Sequence, residues 1–493
     1  MLFNSLSYLI FLPVTVALYW LIPFKLRTPL LIGASYVFYM SWKPIYGLLL
    51  LALTLINYLF GLAIHKYESK KKSILIGALV ANLGMLAYFK YTYFLRDTAN
   101  GAMALLGPSA PQLPPIAWEI FLPLGISFFV FEFIHYVVDV HNGHQPVRKF
   151  LDFALFASFF PTQLAGPIKR FQDFIPQLLS PRKLTSSDFD EAIDLIMLGL
   201  FKKVVLADNI ALVVNRCYAN WQLLNGVDLW LAAWAFAFQV YYDFSGYTDI
   251  ARGSALLFGF KVPINFNLPY MAGSIADYWR RWHISLSLWI RDYLFIPLGG
   301  NKKGPWLACF NVFVTMALAG LWHGAADHFI AFGVVIGAMM VVHRLWRFAV
   351  EKNALLTQVV STQAFHIFAI LLTFNSFMFC MATFRAPNVP TGLAIWNKML
   401  FIPDIMSGTW HLQPTILRTA ESPLFQILPV LLLACYLAQA GLYGFAKATG
   451  KDDAKQPAVP LPRFLKPVYI AAVTILLILF SPQITPQFIY YQF

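Results

Sequence analysis

Residues 317–340 read ALAGLWHGAADHFIAFGVVIGAMM, and this stretch decides the kind of fold. On both sides of Gly324 the chain is apolar and rich in small residues, as helix in a bilayer is. Yet Trp322-His323-Gly324 places an imidazole inside it. An ionisable group at membrane depth is costly, so it marks a functional site before it marks anything else. Asp327 follows four residues later, and a continuing helix would bring it to the same face, where it would orient or charge-stabilise the imidazole.

The rest of the composition agrees about the solvent. Of 493 residues, 59% are hydrophobic and 12% charged, and the mean hydropathy is +0.64, outside the range of soluble domains. The 46 Phe, 23 Tyr and 14 Trp suit a chain that meets hydrocarbon and both interfacial belts. The expected fold class is an all-α polytopic membrane protein with about ten to thirteen transmembrane helices, and the lipid bilayer is its first partner. The opening run MLFNSLSYLIFLPVTVALYWLIPFKLR has no basic region before its apolar core and no small-residue cleavage site after it, so it reads as a retained span.

A net charge of +13 does not point to nucleic acid, because the basic residues form no single stripe. They recur in short clusters between apolar runs: Lys25 and Arg27, Lys66 with Lys70 to Lys72, Arg148 to Lys183, Lys261 to Lys303, Arg344 to Lys352, and Lys447 to Lys466. That is the positive-inside pattern, and it predicts both termini outside. Cys217, Cys309, Cys380 and Cys435 are far apart, with neither metal-ligand nor disulfide spacing, so no metal is expected.

The reading is of one integral-membrane domain over 1–493. Segments 151–186 and 262–305 mix short apolar pieces with Pro, Gly and charge. They are expected to be re-entrant or cytoplasmic segments, with surface loops as the alternative. Residues 96–115 and 386–423 read as external loops, and 448–467 as a cytoplasmic linker.

Three groups of residues carry candidate chemistry. From Ser274, a capped start with Asp277 three residues on leads into YWRRWHISLSLWIRDYLF, where Arg280, Arg281 and His283 alternate with large rings. Such a helix contacts an anionic ligand through arginine's planar fork, or anchors on anionic lipid. In QVYYDFSGYTDIARG, helical spacing gathers Gln239, Tyr242, Gly246, Asp249 and Gly253 in one stripe with Asp243 beside it, lining a cavity or packing tightly on another helix. The third group is His323, either a general base that takes a proton from an attacking hydroxyl or a hydrogen-bonded core histidine. No P-loop, dinucleotide fingerprint, HExxH or GxSxG motif is present.

Taken in order along the chain, MLFNSLSYLIFLP at 1–13, LPLGISFFVFEFIHYVVDV at 122–140, SFFPTQLAGPIKRF at 158–171, YYDFSGYTDIARG at 241–253, DYWRRWHISLSLWIRDYLFIPLGGN at 277–301, GLWHG at 320–324, FRA at 384–386 and FIYYQF at 488–493 resemble the membrane-bound O-acyltransferase superfamily, in its bacterial alginate O-acetylation branch. The resemblance implies a ring of transmembrane helices with a central tunnel, and a superfamily histidine that matches His323. It implies an O-acyltransferase, in this branch usually an O-acetyltransferase, with no covalently bound cofactor. Acetyl-CoA or a similar acyl-CoA would be the cytoplasmic donor. An extracytoplasmic partner resembling SGNH hydrolases would help place the group on an exopolysaccharide or cell-wall polysaccharide, in a bacterial inner membrane.

It further implies that Arg280, Arg281 and His283 contact the donor, that Tyr242, Asp243 and Asp249 line the tunnel, and that Gln163, Gly166 and Pro167 build a re-entrant floor. One departure stands out. Relatives of this type place a second histidine thirteen residues after the first, where this chain has Ile336, so Asp327 or His328 becomes the stand-in. The rival reading is a transporter or channel for an acylated or anionic metabolite, with no covalent step.

Overall fold

The computed structural model describes residues 1–107, 109–180, 183–411, 423–450, 462–482 and 488–489. Among them every regular element is a helix; the nearest thing to a strand is one isolated antiparallel bridge, Phe266 to Trp282. Among the described residues six helices are long and apolar enough to cross a membrane: Ile45–Lys66, Glu68–Ala104, Pro305–His323, Asp327–Glu351, Gln363–Arg385 and Gln426–Ala448. Two shorter apolar helices, Leu6–Leu21 and Lys466–Phe480, accompany them. The polytopic all-α reading therefore holds.

The remaining apolar runs are spent differently. The run at 117–140 becomes helix only over Ile126–His141, and the run at 190–215 is interrupted by a π-helical stretch, Phe201–Ala207. The 32-residue helix Gly226–Leu257 carries Asp228, Gln239, Asp243, Asp249 and Arg252, and is buried along most of its length. A helix covered by protein has no need of an unbroken apolar surface.

By contacts the chain divides into two compact units. The first comprises Met1–Ile196 with Thr248–Pro263. Its helices are joined by polar pairs that hydrocarbon makes worthwhile. Asn57 and Asn82 donate to each other's side-chain oxygens at 3.1 and 2.7 Å, tying Ile45–Lys66 to Lys71–Leu86. Lys169 donates to both oxygens of Glu132 at 2.8 Å, and both residues are buried. Segment 151–186 forms helices Phe150–Ser158 and Phe171–Leu179 with a turn between them. Every residue from 153 to 169 is buried, which argues against the surface-loop alternative for this segment. Gly166 sits where a Cβ would lie 2.3 Å from the Thr162 Cα, so only glycine closes that turn.

The second unit comprises Met197–Tyr247 with Ile264–Phe493. At its centre Pro305–His323 and Asp327–Glu351 pack as an antiparallel hairpin. Gly320 and Gly333 let the two backbones touch: a Cβ on Gly320 would lie 2.3 Å from the Phe329 carbonyl oxygen, and one on Gly333 would lie 2.4 Å from that of Met316. The small residues beside the histidine are thus a helix contact of the kind lipid favours.

Two loop expectations give way. The helix from Lys71 continues through a π turn to Ala104, into the expected 96–115 loop. Within 386–423, Val389–Met399 and Ile402–Ser407 are helical; the Asn388 side chain accepts from the Thr391 N–H and Pro390 stands in the first turn, which together mark a helix start. Much of the 448–467 linker, residues 451–461, lies outside the described residues, as do residues 490–493 of the FIYYQF motif.

Candidate active site

His323 is the last residue of its helix. Gly324 follows in extended conformation, and the next helix starts at Asp327. The expected continuation through 327 does not occur, so Asp327 is not carried to the histidine's face by helical spacing. Its side chain is 63% exposed, and its carboxylate accepts from the adjacent His328 backbone N–H at 2.8 Å, at the start of the new helix. The His328 Nδ1 lies 3.8 Å from the same oxygen.

Around the His323 ring stand Trp322 at 5.0 Å, Phe384 edge-on at 5.3 Å and Phe332 at 6.3 Å between centroids. His283 comes to the same place from another part of the chain. Its ring lies 6.2 Å from Trp322 and packs edge-on to Phe244 at 4.6 Å. Burial, and then the nearby His323, hold the His283 imidazole well below the usual histidine pKa, so it is neutral.

The segment expected to run as one helix from Ser274 breaks to deliver that ring. Ser274 does cap the start, accepting from the Asp277 N–H at 3.1 Å. The helix Ile275–Arg281 then stops, His283 takes a left-handed conformation with φ 43°, and helix resumes over Ile284–Ile290. Asn265 holds the break. Its backbone carbonyl accepts from the Ile284 N–H at 3.0 Å, and its side-chain oxygen accepts from the Ser285 N–H at 3.2 Å and the Ser285 hydroxyl at 2.6 Å. A left-handed histidine costs about 1–2 kcal/mol and persists only where its surroundings impose it.

The expected donor trio is therefore split. Arg280 is 75% exposed, 3.5 Å from Asp277. Arg281 donates to Asp277 at 2.9 Å and to the Asn267 carbonyl at 3.4 Å. His283 is buried beside His323 instead of standing with them.

The polar stripe is split as well. Tyr242 is buried against Phe238 and Tyr241. Asp243 accepts from the Lys203 ammonium and from the Ile489 backbone N–H, each at 2.8 Å, and Lys203 also reaches Asp208 at 2.8 Å. Gly246 abuts the Gly199 carbonyl, where a Cβ would approach to 2.7 Å. Asp249, in the first unit, lies 3.7 Å from Arg252.

Next to His323 opens a cavity of about 440 Å³, walled by Asn215, Phe236, Gln239, Gly324 to Ala326, His328, Phe329, Phe384 to Pro387 and Ile489. Gly324 and Phe384 are shared between the histidine's surroundings and this wall. The stripe contributes Gln239 to it; Tyr242, Asp243 and Asp249 are not in the wall. Ile336, where a second histidine was expected, is fully buried. Among the described residues no group of three or more His, Cys, Asp or Glu could hold a metal ion.

Residues 31–383 match the membrane-bound O-acyltransferase family. The chain belongs to that family. A probable alginate O-acetylase of Pseudomonas syringae pv. tomato is 37% identical over 96% of this chain and 88% of its own length. The peptidoglycan O-acetyltransferase of Helicobacter pylori is 34% identical over 81% of this chain and 80% of its own. A teichoic acid D-alanyltransferase of Bacillus subtilis is 27% identical over 64% and 78%. This membrane-bound O-acyltransferase is thus a multi-pass membrane enzyme that moves an acyl group from a donor to an acceptor oxygen.

Two features of the site were not read from the sequence. The sequence points to His283 as a donor contact and not as a neighbour of His323, because the break between Ile275–Arg281 and Ile284–Ile290 that delivers its ring is held by Asn265 from outside the motif. Arg385 lay inside the FRA motif with no role attached.

Proposed function

We propose that this enzyme is an O-acetyltransferase of the bacterial inner membrane, that it takes acetyl from acetyl-CoA at its cytoplasmic side, and that His323 is its general base. The observation that carries this reading is the position of His323, at a helix end, beside a cavity large enough for a small acceptor and next to a second, neutral imidazole. As the acceptor hydroxyl oxygen attacks the thioester carbonyl carbon, the His323 imidazole takes the hydroxyl proton. The C–S bond then breaks, the thiolate leaves, and the imidazolium returns the proton to sulfur, so an ester and a thiol are formed. His283, held neutral, places no second positive charge beside the imidazolium that His323 becomes as it takes the proton.

His328 borders the acceptor cavity, and Asp327 serves only to start its helix. Arg280 and Arg281 stand toward the donor, where Arg280 has an exposed guanidinium for a phosphate-bearing carrier. Tyr242, Asp243 and Asp249 are buried supports. The names of the relatives favour a polysaccharide as the final acceptor, reached directly or through an SGNH-like extracytoplasmic partner.

The test uses purified full-length protein in lipid nanodiscs with radiolabelled acetyl-CoA, an acceptor polysaccharide and a membrane extract supplying the partner. His323→Ala should lower transfer by about 10²–10⁴-fold, as loss of a general base does, with unchanged membrane insertion. Transfer at the wild-type rate would remove His323 from the reaction.

A further inference from the structure

The end of the hairpin remote from His323 is cationic, and its charges are held in a fixed arrangement. Gly299-Gly300-Asn301-Lys302-Lys303-Gly304 leads into the helix Pro305–His323, with φ of 112°, 53° and 94° at its three glycines. Two side chains tie this loop to the hairpin. Asn311 donates to the Gly300 carbonyl at 3.2 Å, and Arg344 of the returning helix donates through Nη1 to the Asn301 side-chain oxygen at 3.0 Å. Arg344 is thereby set beside the loop that bears Lys302 and Lys303, both exposed.

Among the described residues no carboxylate lies within ion-pair distance of Lys302, Lys303 or Arg344. Arg347, less than one turn further on, is by contrast paired with Glu351 at 3.1 Å. Arg344 is half-buried, its guanidinium 5.7 Å from the Phe348 ring, and its Nε is buried with no hydrogen-bond partner. Basic residues gather at the cytoplasmic ends of spanning helices, which accounts for the sign of these charges. It does not account for a guanidinium fixed by an amide and left without a counter-ion. The adjoining surface is apolar: Trp306 is 76% exposed, and Phe310, four residues on and on the same face, is 61% exposed. A soluble anion has no use for exposed rings, whereas the edge of a bilayer sets phosphate groups directly above hydrocarbon.

We propose that the base of the hairpin binds the headgroup of one anionic phospholipid of the cytoplasmic leaflet, with Lys302, Lys303 and Arg344 on its phosphate and Trp306 and Phe310 against its acyl chains. Arg344 spends Nη1 on Asn301 and keeps Nη2 for a phosphate oxygen, so the fork arrives already oriented. The effect reaches the active site along the helix. Pro305 and His323 are about 27 Å apart at 1.5 Å per residue, and the backbone contact between Gly320 and Gly333 makes the two helices move together. A headgroup held at the base therefore sets how deep His323 lies in the bilayer. Lipid at this site is required by neither the choice of acyl donor nor the identity of the acceptor.

The test titrates full-length protein in detergent with dioleoyl-phosphatidylglycerol and with dioleoyl-phosphatidylcholine, counting bound lipid by native mass spectrometry, and then adds glycerol 3-phosphate or acetyl-CoA as competitor. The wild type should bind its first phosphatidylglycerol roughly tenfold or more tightly than phosphatidylcholine, since each basic group near an anionic surface is worth about fivefold. That comparison alters only the ligand, so it stands even if a variant fails to fold. Combining Lys302→Gln, Lys303→Gln and Arg344→Gln should abolish the preference. Combining Lys66→Gln, Lys70→Gln and Lys72→Gln, which removes the same charge from another basic cluster, should leave it intact. Equal affinity of the wild type for the two lipids overturns the proposal, and so does an equal loss in both triple variants, which would reduce the effect to total charge. Displacement of the lipid by equimolar glycerol 3-phosphate would show that a soluble phosphate suffices, and displacement by acetyl-CoA would assign the cluster to the donor; either result overturns the lipid site. In nanodiscs, acetyl transfer by the wild type should be several-fold faster with phosphatidylglycerol than with phosphatidylcholine alone, and equal rates would overturn the influence on His323.

Discussion

Replacing Gly320 by alanine adds one methyl at the closest approach in the hairpin. That Cβ would lie 2.3 Å from the Phe329 carbonyl oxygen and 2.8 Å from the Gly333 Cα. Ordinary contact begins at 3.4 Å, so the shortfall against the oxygen is about 1.1 Å. Both obstructing atoms are backbone, and no side chain can swing aside, so the helices themselves must part. Overpacking of this kind costs about 1–3 kcal/mol. The functional effect should be larger than the stability effect suggests, because His323 lies three residues on, less than one turn from the wedge, whereas His283 and Phe384 are carried by other segments. A displacement near 1 Å in a reacting group lowers rates by about 10²-fold. Acetyl transfer by the variant in nanodiscs should therefore fall by about that factor while the protein still inserts and melts cooperatively. Gly441→Ala is the internal control, since a Cβ there meets nothing within 4 Å, and it should behave as the wild type. Activity of Gly320→Ala within twofold of the wild type would refute the idea that backbone contact in the hairpin sets the position of the histidine.

Substitutions at three further positions separate roles that the sequence left together. Asp327→Ala should cost less than about 1 kcal/mol, as loss of an exposed helix-start contact does, and should leave transfer within a few-fold of wild type; a loss comparable to that of His323→Ala would show that the carboxylate does serve the imidazole. Asn265→Ala removes the acceptor of two Ser285 donors and should destabilise by about 1–3 kcal/mol, with a fall in turnover as His283 is released; unchanged thermal midpoint and turnover would show that the break holds itself. Asp243→Ala leaves Lys203 paired with Asp208 but strips the buried Ile489 N–H of its acceptor, and should cost about 1–3 kcal/mol in thermal or denaturant unfolding, more than Asp243→Asn, which can still accept from the Ile489 N–H; equal effects would locate the whole contribution in charge.

What was legible in the sequence was chiefly what depends on composition and on short-range patterns. Apolar length fixed the solvent, and Ser274 with Asp277 announced a helix start that the structure has. WHG in a small-residue run pointed to His323, although the same small residues turn out to serve the contact between Gly320 and Gly333. The failures share one physical cause, the interruption of helices by interactions distant in sequence. Nothing within YWRRWHIS says that Asn265, eighteen positions before His283, will hold a left-handed residue in place. Helical spacing offered Asp327 as the partner of His323 because it presumes a continuous helix, and the chain ends one at 323. Likewise the stripe around Tyr242 was sound as a stripe, but its members answer to different neighbours: a lysine, a glycine carbonyl and a cavity.

The contact between Asp243 and the Ile489 N–H joins residues 246 positions apart. During synthesis the helix bearing Asp243 is made and inserted long before that amide exists, so for much of translation the carboxylate has Lys203 and no backbone donor. Contacts of such separation form late because the intervening chain must first be ordered. A polypeptide halted between the two positions would keep the Lys203 pair but lack the backbone donor to Asp243. The bond thus ties a wall residue of the cavity, Ile489, to a helix made some 246 residues earlier, so the last part of that wall is set in place only after the chain between them has been made.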